Sequence, residues 1–356
     1  DNISEAIKDR INKENSIELS TFYLDGKNHN DKEYLKKMIS ILEHKLKKQK
    51  YDLILVSDDY AYKLLVEKYH NIIKNVPLVF CGVENFKKSI LVKNNLQNSV
   101  KGIVEKKQIL KNFDLIVKVQ KNLKKLTIIS ELTLSGKANE KSILEAIKKY
   151  KNTIEIDYIT KLDIKEIKKL LLKETKNEAV LYIRMYVNKD GKNIKFKQVR
   201  ELINNSKLPV FATNTLLLNE GIVGGYLNDA YTQGLYAANI AVEILKGKDI
   251  KEFDILKSSL DSYIFDYNQI KRYKIDFLDL PKNSKLINRP ESFFDKYRNF
   301  INFIFILSPL FLLLFVSLFI AILKKISLEK SLIIRIEFDK VLLDTVDSPV
   351  FWQNKF

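Results

Sequence analysis

An uncharged apolar stretch near the C-terminal end constrains this chain more than any other feature. Residues 300–323 read FINFIFILSPLFLLLFVSLFIAIL and contain no charged side chain. A helix needs about 20 apolar residues to cross the hydrocarbon core of a bilayer, and membrane helices tolerate a proline such as Pro309. The alternative is a buried core helix, but core helices rarely hold so long an apolar run. The sequence therefore predicts one transmembrane helix at 300–323.

The basic residues on either side of this stretch do not orient it in a membrane. Four of them precede it from residue 285 onward, and five follow it up to residue 340. The positive-inside rule needs a clear bias between the two sides, so the orientation has to come from the nature of the flanking domains. The residues are Lys285, Arg289, Lys296 and Arg298 before the stretch, and Lys324, Lys325, Lys330, Arg335 and Lys340 after it.

The charge of the chain is strongly basic, but its composition does not favour a nucleic-acid partner. Lys and Arg together number 61 against 44 Asp and Glu, which gives a net charge of +17. Only seven of the basic residues are Arg, the side chain whose planar fork recognises phosphates and bases. Lys is instead spread over predicted helices, as in 45–50 and 164–174. We therefore expect solvated lysine faces and no nucleic-acid binding.

Neither a metal centre nor a catalytic motif is indicated. Cys81 is the single cysteine, which excludes an internal disulfide, and the three histidines lack metal-ligand spacing. There is no nucleophile elbow or phosphate-binding loop, and the glycines of 221–225 lack dinucleotide-binding spacing. We expect those glycines to let chain segments pass close together, and we expect no metal, cofactor or catalytic residue. An enzyme using carboxylates such as Asp58, Asp59 and Glu84 is the alternative.

Residues 15 to about 270 alternate short β-branched runs with amphipathic lysine-rich stretches. The runs cover 17–24, 51–57, 76–82, 126–130, 153–159, 179–185, 208–213 and 221–227. Helical patterns lie between them at 31–49, 59–73, 106–121, 137–150, 163–175, 196–206 and 228–246. Several runs are continuously apolar, which is typical of parallel strands buried on both faces. The pattern predicts an α/β fold with two lobes of parallel sheet flanked by helices, with a closed eightfold barrel as the alternative.

Polar side chains follow several of these strands, where open α/β sheets bind their ligands. The candidate ligand-binding residues are Ser57, Asp58, Tyr60, Glu84, Thr133, Arg184 and Asn214. Asp58 would suit an amino group, Arg184 a carboxylate and Tyr60 a stacked ring. The competing interpretation is structural: Ser, Thr, Asp and Asn cap helices, and Arg184 could instead pair with Asp190 or Glu178.

Two stretches of the chain resemble a known family. The first, 51–130, contains YDLILVSDDYAYKLL, VPLVFCGVENF and NSVKGIVEKKQILKNFDLIVKVQKNLKKLTIIS. The second, 208–250, reads LPVFATNTLLLNEGIVGGYLNDAYTQGLYAANIAVEILKGKDI. Together they resemble the ABC-transporter substrate-binding proteins related to tryptophan and phenylalanine binders, over roughly residues 15–280. The resemblance implies a type I periplasmic-binding fold, in which two α/β lobes joined by crossovers close over a small molecule.

The resemblance also implies an assignment of residues to lobes. Lobe 1 would hold about 1–100 and 226–282, and lobe 2 would hold about 101–225. A first strand would normally precede the helical pattern at 3–13, so we expect that strand to be missing from this sequence.

The membrane stretch changes what the resemblance implies, because this family does not usually carry a C-terminal membrane helix. The combination resembles the extracytoplasmic inputs of bacterial sensor kinases. Downstream, FDKVLLDTVDSPVFWQNKF at 338–356 resembles the opening of a PAS domain. The expected organisation is a sensor domain at 1–282, a juxtamembrane segment at 283–299, the transmembrane helix at 300–323, a signalling linker helix at 324–336 and the truncated start of a PAS-like domain at 337–356.

The function expected from these features is ligand sensing by a single-pass bacterial receptor in the cytoplasmic membrane. Residues 1–299 would be extracytoplasmic and bind an amino acid or similar small molecule, and residues 324–356 would be cytoplasmic. We expect a homodimer formed through the juxtamembrane and linker helices. The expected output is a two-component histidine kinase, whose catalytic part is not in this sequence. The alternatives are a diguanylate cyclase output and a membrane-anchored substrate-binding protein of an ABC transporter.

Overall fold

The computed structural model describes residues 2–345, except 27, 28, 30, 75, 132, 133, 162, 258, 259 and 292. The chain forms two compact units, 1–289 and 290–356, which are described separately. The helices are α1 (Asn2–Ile11), α2 (Lys32–Lys48), α3 (Asp59–Tyr62), α4 (Lys88–Lys93), α5 (Ile109–Val119), α6 (Leu134–Tyr150), α7 (Ile164–Leu171), α8 (Phe196–Asn204), α9 (Ala230–Leu245), α10 (Tyr267–Arg272), α11 (Phe293–Lys296) and α12 (Arg298–Thr345). The strands are β1 (Ile54–Ser57), β2 (Leu78–Val83), β3 (Val100–Val104), β4 (Lys125–Ile129), β5 (Glu155–Ile159), β6 (Glu178–Tyr182), β7 (Val210–Ala212), β8 (Gly224–Leu227), β9 (Ile255–Leu256), β10 (Ser262–Asp266) and β11 (Lys285–Ile287).

The smaller sheet is parallel, with strand order β1-β2-β3-β9. Successive side chains of a strand point to opposite faces, so the continuous apolar run of β2 is buried on both. Leu78 and Phe80 pack on one face with α2, α4 and the helical turns after β1. Val79 and Cys81 pack on the other face with α1 and α9. We call this sheet and its helices the small lobe.

The larger sheet has seven strands in the order β11-β10-β8-β7-β6-β4-β5. All neighbouring pairs are parallel except β10 with β8, which is antiparallel. In β6, Leu181 faces a core that includes α5, α6 and α10. Val180 faces a second core that includes α7 and α8. This sheet and its helices are the large lobe, and two separate open sheets exclude the eightfold barrel.

Within the described residues, the chain passes between the lobes three times: after β3, after β8 and after β9. Buried side chains connect the second and third of these crossovers to the small lobe. Asn228 donates to Asp261 Oδ1 at 3.0 Å, and Gln233 donates to Asn228 Oδ1 at 2.9 Å. The amide of Gly82 in β2 donates to Gln233 Oε1 at 3.0 Å. The crossovers are therefore joined to the sheet by a continuous chain of hydrogen bonds.

Seven of the eight predicted strands are confirmed, and the predicted α/β fold with flanking helices is confirmed with them. The prediction for 17–24 is wrong, since these residues form no strand. Ile17 and Leu19 pack against the core between the small sheet and α1. Their apolar spacing thus reflects contact with that core and not a hydrogen-bonded strand.

The sequence pattern also missed β3, β9, β10 and β11. Lys101 and Gly102 interrupt the apolar run of β3, yet Gly102 is required there, because a Cβ would lie 2.1 Å from the carbonyl oxygen of Phe80. β9 and β11 have only two and three residues. Short or interrupted strands leave a weak signal in the sequence.

Strand β10 belongs to the large sheet and α10 packs against it, whereas the expected boundary assigned 226–282, and with it both elements, to lobe 1. The glycines of β8 explain how β10 joins this sheet. A Cβ on Gly224 would lie 2.1 Å from the carbonyl oxygen of Ile264, and one on Gly225 would lie 2.3 Å from that of Ala212. The prediction that these glycines permit close passage of neighbouring segments is confirmed.

The second unit is dominated by α12, a helix of 48 residues. Among the described residues, α12 alone is long and apolar enough to cross a membrane, with a mean hydropathy of 2.8 in its most apolar window. At about 1.5 Å per residue, it is roughly 72 Å long. It contains the predicted membrane stretch and linker, and it continues through residue 345. Of the predicted PAS-like segment at 337–356, residues 337–345 continue α12 and residues 346–356 lie outside the described residues.

Candidate functional site

The predicted ligand-binding residues lie where strands of both sheets end. Ser57, Asp58 and Tyr60 follow one another at the end of β1, and Glu84 comes directly after β2. In the large lobe, Arg184 follows β6 and Asn214 follows β7. Thr133 lies outside the described residues. The structure thus places these side chains at the edges that face the boundary between the lobes, and contact with a ligand stays a prediction for each.

Asp58 and Asn214 both act as caps of short helices. Asp58 accepts a hydrogen bond from the amide of Tyr60 at 3.3 Å, and Asn214 accepts one from the amide of Leu216 at 3.1 Å. Asp58 also has a φ angle of +81°, which is costly for a residue with a side chain. Strained residues of this kind are concentrated at functional sites, so the capping role and a binding role are compatible.

Tyr60 covers Gly26 from the segment that precedes α2. A Cβ on Gly26 would lie 2.1 Å from Cε1 of the Tyr60 ring, so the ring needs a glycine at this position. Burial raises the pKa of the Tyr60 hydroxyl above its usual value, and the charge of Asp31 adds to the effect. The ring is therefore held in place by its surroundings at the end of β1.

Glu84 and Arg184 are brought together, although 100 residues separate them in the sequence. Glu84 Oε1 accepts from Arg184 Nη2 at 2.5 Å and from Nζ of Lys107. Glu84 Oε2 accepts from Nδ2 of Asn139 at 2.8 Å. Lys107 also donates to Glu105 at 3.0 Å. We call these five residues the interlobe cluster, because Glu84 follows a small-lobe strand while Arg184 and Asn139 belong to the large lobe.

The charges of the interlobe cluster compensate one another in a buried place. The exposed fraction of the side chain is 5% for Glu84, 1% for Lys107 and 14% for Arg184. Burial alone would raise the pKa of Glu84, but the charges of Lys107 and Arg184 outweigh it and lower that pKa. Burial likewise opposes the charge of Lys107, and Glu105 and Glu84 overcome it and raise its pKa. Glu84 and Lys107 are therefore both favoured in their charged forms by the partners that surround them.

The loop that carries Arg184 is held by a second carboxylate. Glu131, which follows β4, accepts from the backbone amides of Tyr186 at 2.6 Å and Val187 at 2.8 Å. The Arg184 guanidinium lies over the Tyr186 ring, 5.6 Å from its centroid. These contacts fix the guanidinium at the carboxyl end of β6, where it donates to the carboxylate of Glu84, as Lys107 does.

Sequence reasoning found two members of the interlobe cluster and missed three. The ion pair of Arg184 forms with Glu84 rather than with Asp190 or Glu178, the partners that we considered. Lys107 and Glu105 were missed because the sequence pattern did not predict β3, the strand that they follow. Asn139 lies one turn into α6, where no local pattern distinguishes it from a surface residue.

Comparisons with known proteins support the same fold. The family model for ABC transporter substrate binding proteins matches residues 1–279. The chain belongs to this family. A structure of an ABC domain in complex with L-Trp from Streptococcus pneumonia is 16% identical, with a TM-score of 0.55 over 80% of this chain and 95% of that chain. The ligand-free, open structure of CD0873, a substrate binding protein with adhesive properties from Clostridium difficile, is 15% identical, with a TM-score of 0.51 over 81% of this chain and 95% of that chain.

At this level of identity, the two structures show the fold alone. They and the family match confirm the expected type I periplasmic-binding arrangement of two α/β lobes. No curated protein matches the sequence. The identity of any molecule bound by this substrate-binding protein must therefore be argued from its own residues.

Two aspartates of this substrate-binding protein, buried Asp59 and half-buried Asp261, have raised pKa values. Burial raises the pKa of Asp59 to about 6, although it accepts from the amide of Asn85 at 2.8 Å. Burial also raises the pKa of Asp261, on the third crossover, to about 6. The charges of Glu84 and Glu105 act in the same direction on Asp59. Both aspartates thus take up protons near pH 6, where ordinary carboxyl groups stay ionised.

Proposed function

We propose that this substrate-binding protein is the sensing region of a single-pass membrane receptor, and that it binds a small amino-acid-like molecule between its lobes. Residues 1–299 would lie outside the cytoplasm and residues 324–356 inside it. The observation that carries the signalling part is the length of α12. It continues for 22 residues beyond the apolar stretch that ends at Leu323, which is roughly 33 Å of helix.

The proposed ligand class follows from the chemistry at the strand ends. Arg184, Asn139 and Lys107 supply donors suited to a carboxylate, and Asp58 supplies an acceptor suited to an amino group. The family consists of substrate-binding proteins, and a structure similar to this one holds L-Trp. These observations favour a free amino acid over a neutral sugar.

The helix beyond the membrane stretch favours signalling over simple anchoring. An anchor needs only about 20 apolar residues. Beyond residue 323, the helix carries large apolar side chains that are more than half exposed, including Leu332, Ile333 and Ile336. If these side chains pack against a second copy of the chain, the protein forms a homodimer whose paired helices can transmit motion to a cytoplasmic domain. For that output domain we propose a histidine kinase or, as the second choice, a diguanylate cyclase.

A membrane-anchored transport receptor is the second candidate, and the family match favours it. In that case α12 would only hold the binding domain at the membrane beside a permease. Cysteines placed at Leu332 and Ile336 distinguish the two functions. Disulfide crosslinking between copies in native membranes is expected for the receptor, and a monomer without crosslinks would favour the transport role.

Ligand binding is tested by thermal denaturation of the full chain in detergent with each of the twenty free amino acids. A ligand present at 100 times its Kd stabilises the folded state by about 2.7 kcal/mol, which is readily measured as a rise in Tm. Arg184→Gln is expected to abolish the rise, and Arg200→Gln, which breaks the Arg200–Glu220 pair within the large lobe, is the matched control. No rise in Tm with any amino acid would exclude the amino-acid class.

Membrane orientation is tested separately by labelling cysteines in intact cells with a membrane-impermeant maleimide. A cysteine at Lys285 is expected to react from outside, and one at Lys330 is expected to react only after the cells are opened. The reverse pattern would contradict the proposed receptor topology.

A further inference from the structure

The carboxylate of Glu84 is held by donors from the opposite lobe. The guanidinium of Arg184, which follows β6, donates to Oε1 at 2.5 Å. The carboxamide of Asn139, in α6, donates to Oε2 at 2.8 Å. A guanidinium and a carboxamide are the side chains that bind carboxylates by donating two or more hydrogen bonds. Nothing in their geometry requires the carboxylate to belong to the protein.

The remaining donor to Glu84, Lys107, is connected to the small lobe through Glu105. The backbone amide of Glu105 donates to the carbonyl oxygen of Val83 in β2 at 2.9 Å, which ties the first crossover to the small sheet. Lys107 bonds Glu84 and, at 3.0 Å, Glu105. If the lobes separate, Glu84 therefore keeps a cation, while Arg184 loses its carboxylate partner.

The energy of the interlobe contact permits such an exchange. Taking charges out of water costs several kcal/mol per ion, and this cost offsets much of the attraction between buried partners. Separation of the lobes returns the charged side chains to water, so the contact stabilises the closed arrangement less than its short distances suggest. A second carboxylate entering from solution can then compete for the same donors.

We propose that Arg184 and Asn139 form a carboxylate subsite of the large lobe, that Glu84 fills this subsite when no ligand is bound, and that the carboxylate of the ligand replaces Glu84 there. The inference rests on the proposed binding of a small molecule between the lobes. It adds that Glu84 occupies the site of the ligand's carboxylate and competes with the ligand for Arg184 and Asn139.

The test is chemical rescue in the full chain, with the distance between the lobes as the readout. Spin labels on cysteines at Lys93 in α4 and Lys141 in α6, both exposed, report that distance. Glu84→Ala is expected to lengthen and broaden it, because Arg184 loses its partner. Sodium acetate at tens of millimolar is expected to restore the short distance, and sodium chloride at the same ionic strength is not.

Glu220→Ala is the matched control, since it removes a carboxylate from an arginine 2.5 Å away but within the large lobe. It is expected to leave the label distance unchanged. Glu84→Gln, which keeps the size of the side chain, is expected to open the lobes without rescue by acetate, and it serves if Glu84→Ala does not fold. Adding Arg184→Gln to Glu84→Ala is expected to abolish the rescue.

The inference is overturned if the lobes stay closed in both Glu84 variants, or if acetate and chloride act alike on Glu84→Ala. This result is independent of the amino-acid screen, because acetate reports on the subsite whichever ligand the protein takes. A positive rescue with a negative amino-acid screen would retain the carboxylate subsite and reject the amino-acid class.

Discussion

The charges on helix α2 and those of the interlobe cluster differ in everything except chemical type. On α2, Glu33 and Lys37 form a pair at 2.8 Å whose side chains are more than 70% exposed. In the cluster, Glu84 and Lys107 are almost fully buried, and their partners come from distant parts of the chain. Water screens the first pair and not the second. The net charge of +17 therefore describes the outer helices, while the charges that join the lobes are balanced.

Among the predictions, the largest effect on the free energy of unfolding is expected for Lys107→Met, which removes a charge from the interlobe cluster. Lys107→Met leaves Glu105 without its ion-pair partner and Glu84 with one cation fewer, both in a buried place. Breaking a buried ion pair from one side costs about 3–5 kcal/mol. We expect a loss of that order in the free energy of unfolding at pH 7, measured by urea denaturation of the full chain in detergent.

A companion variant controls for the lost volume of Lys107. Adding Glu105→Gln to Lys107→Met removes the unpaired carboxylate and is expected to recover part of the lost stability. Exposed ion pairs contribute less than about 1 kcal/mol to the free energy of unfolding. A loss in that range for Lys107→Met would show that the ion pairs of the interlobe cluster contribute no more than exposed pairs do.

Buried strands, and the residues that directly follow them, could be predicted from the sequence. Strand β4 was predicted within one residue at each end, because a strand buried on both faces leaves a continuous apolar run. Glu84 and Arg184 were found because they follow such strands. Their pairing was not, because a contact across 100 residues leaves no local pattern.

Lys107 shows the opposite limit of sequence reasoning. Its local sequence, Glu105-Lys106-Lys107, has the same composition as the exposed lysine runs, and yet Lys107 is buried. Burial is decided by β3 and the crossover that follows it, which bring the side chain between two carboxylates. Composition therefore located the surface charges and could not identify Lys107 as a lysine that joins the lobes.

The next effect concerns pH and the buried Asp59. Because the pKa of Asp59 is raised to about 6 in the folded protein, the folded state binds more protons than the unfolded state between about pH 4 and pH 6. The stabilising contribution is present at low pH and is lost as the pH rises through 6, by on the order of 3 kcal/mol over the whole range. Asp59→Asn is expected to reduce this pH dependence.

Thermal denaturation at pH 5 and pH 7.5 measures the effect of Asp59. The matched control is Asp114→Asn, since Lys149 and Tyr150 lower the pKa of Asp114 by hydrogen bonding in spite of partial burial. A lowered pKa stabilises the folded state at every pH above about 4, so this control is expected to lose the same stability at pH 5 and at pH 7.5. Equal pH profiles for wild type and Asp59→Asn would contradict a raised pKa at this position.

The smallest expected effect is on the exposed pair of α2. Lys37→Ala removes a partner of Glu33 at (i, i+4), and such pairs contribute about 0.3–0.5 kcal/mol. Alanine also favours the helix slightly more than lysine does, so the net change in the free energy of unfolding is expected to stay below about 0.5 kcal/mol. High salt should remove what remains, whereas the loss caused by Lys107→Met should persist, because buried charges are screened much less. Measuring both variants by urea denaturation at low and high salt tests this contrast: a salt-sensitive loss for Lys107→Met would mean that water reaches the interlobe cluster in the folded protein.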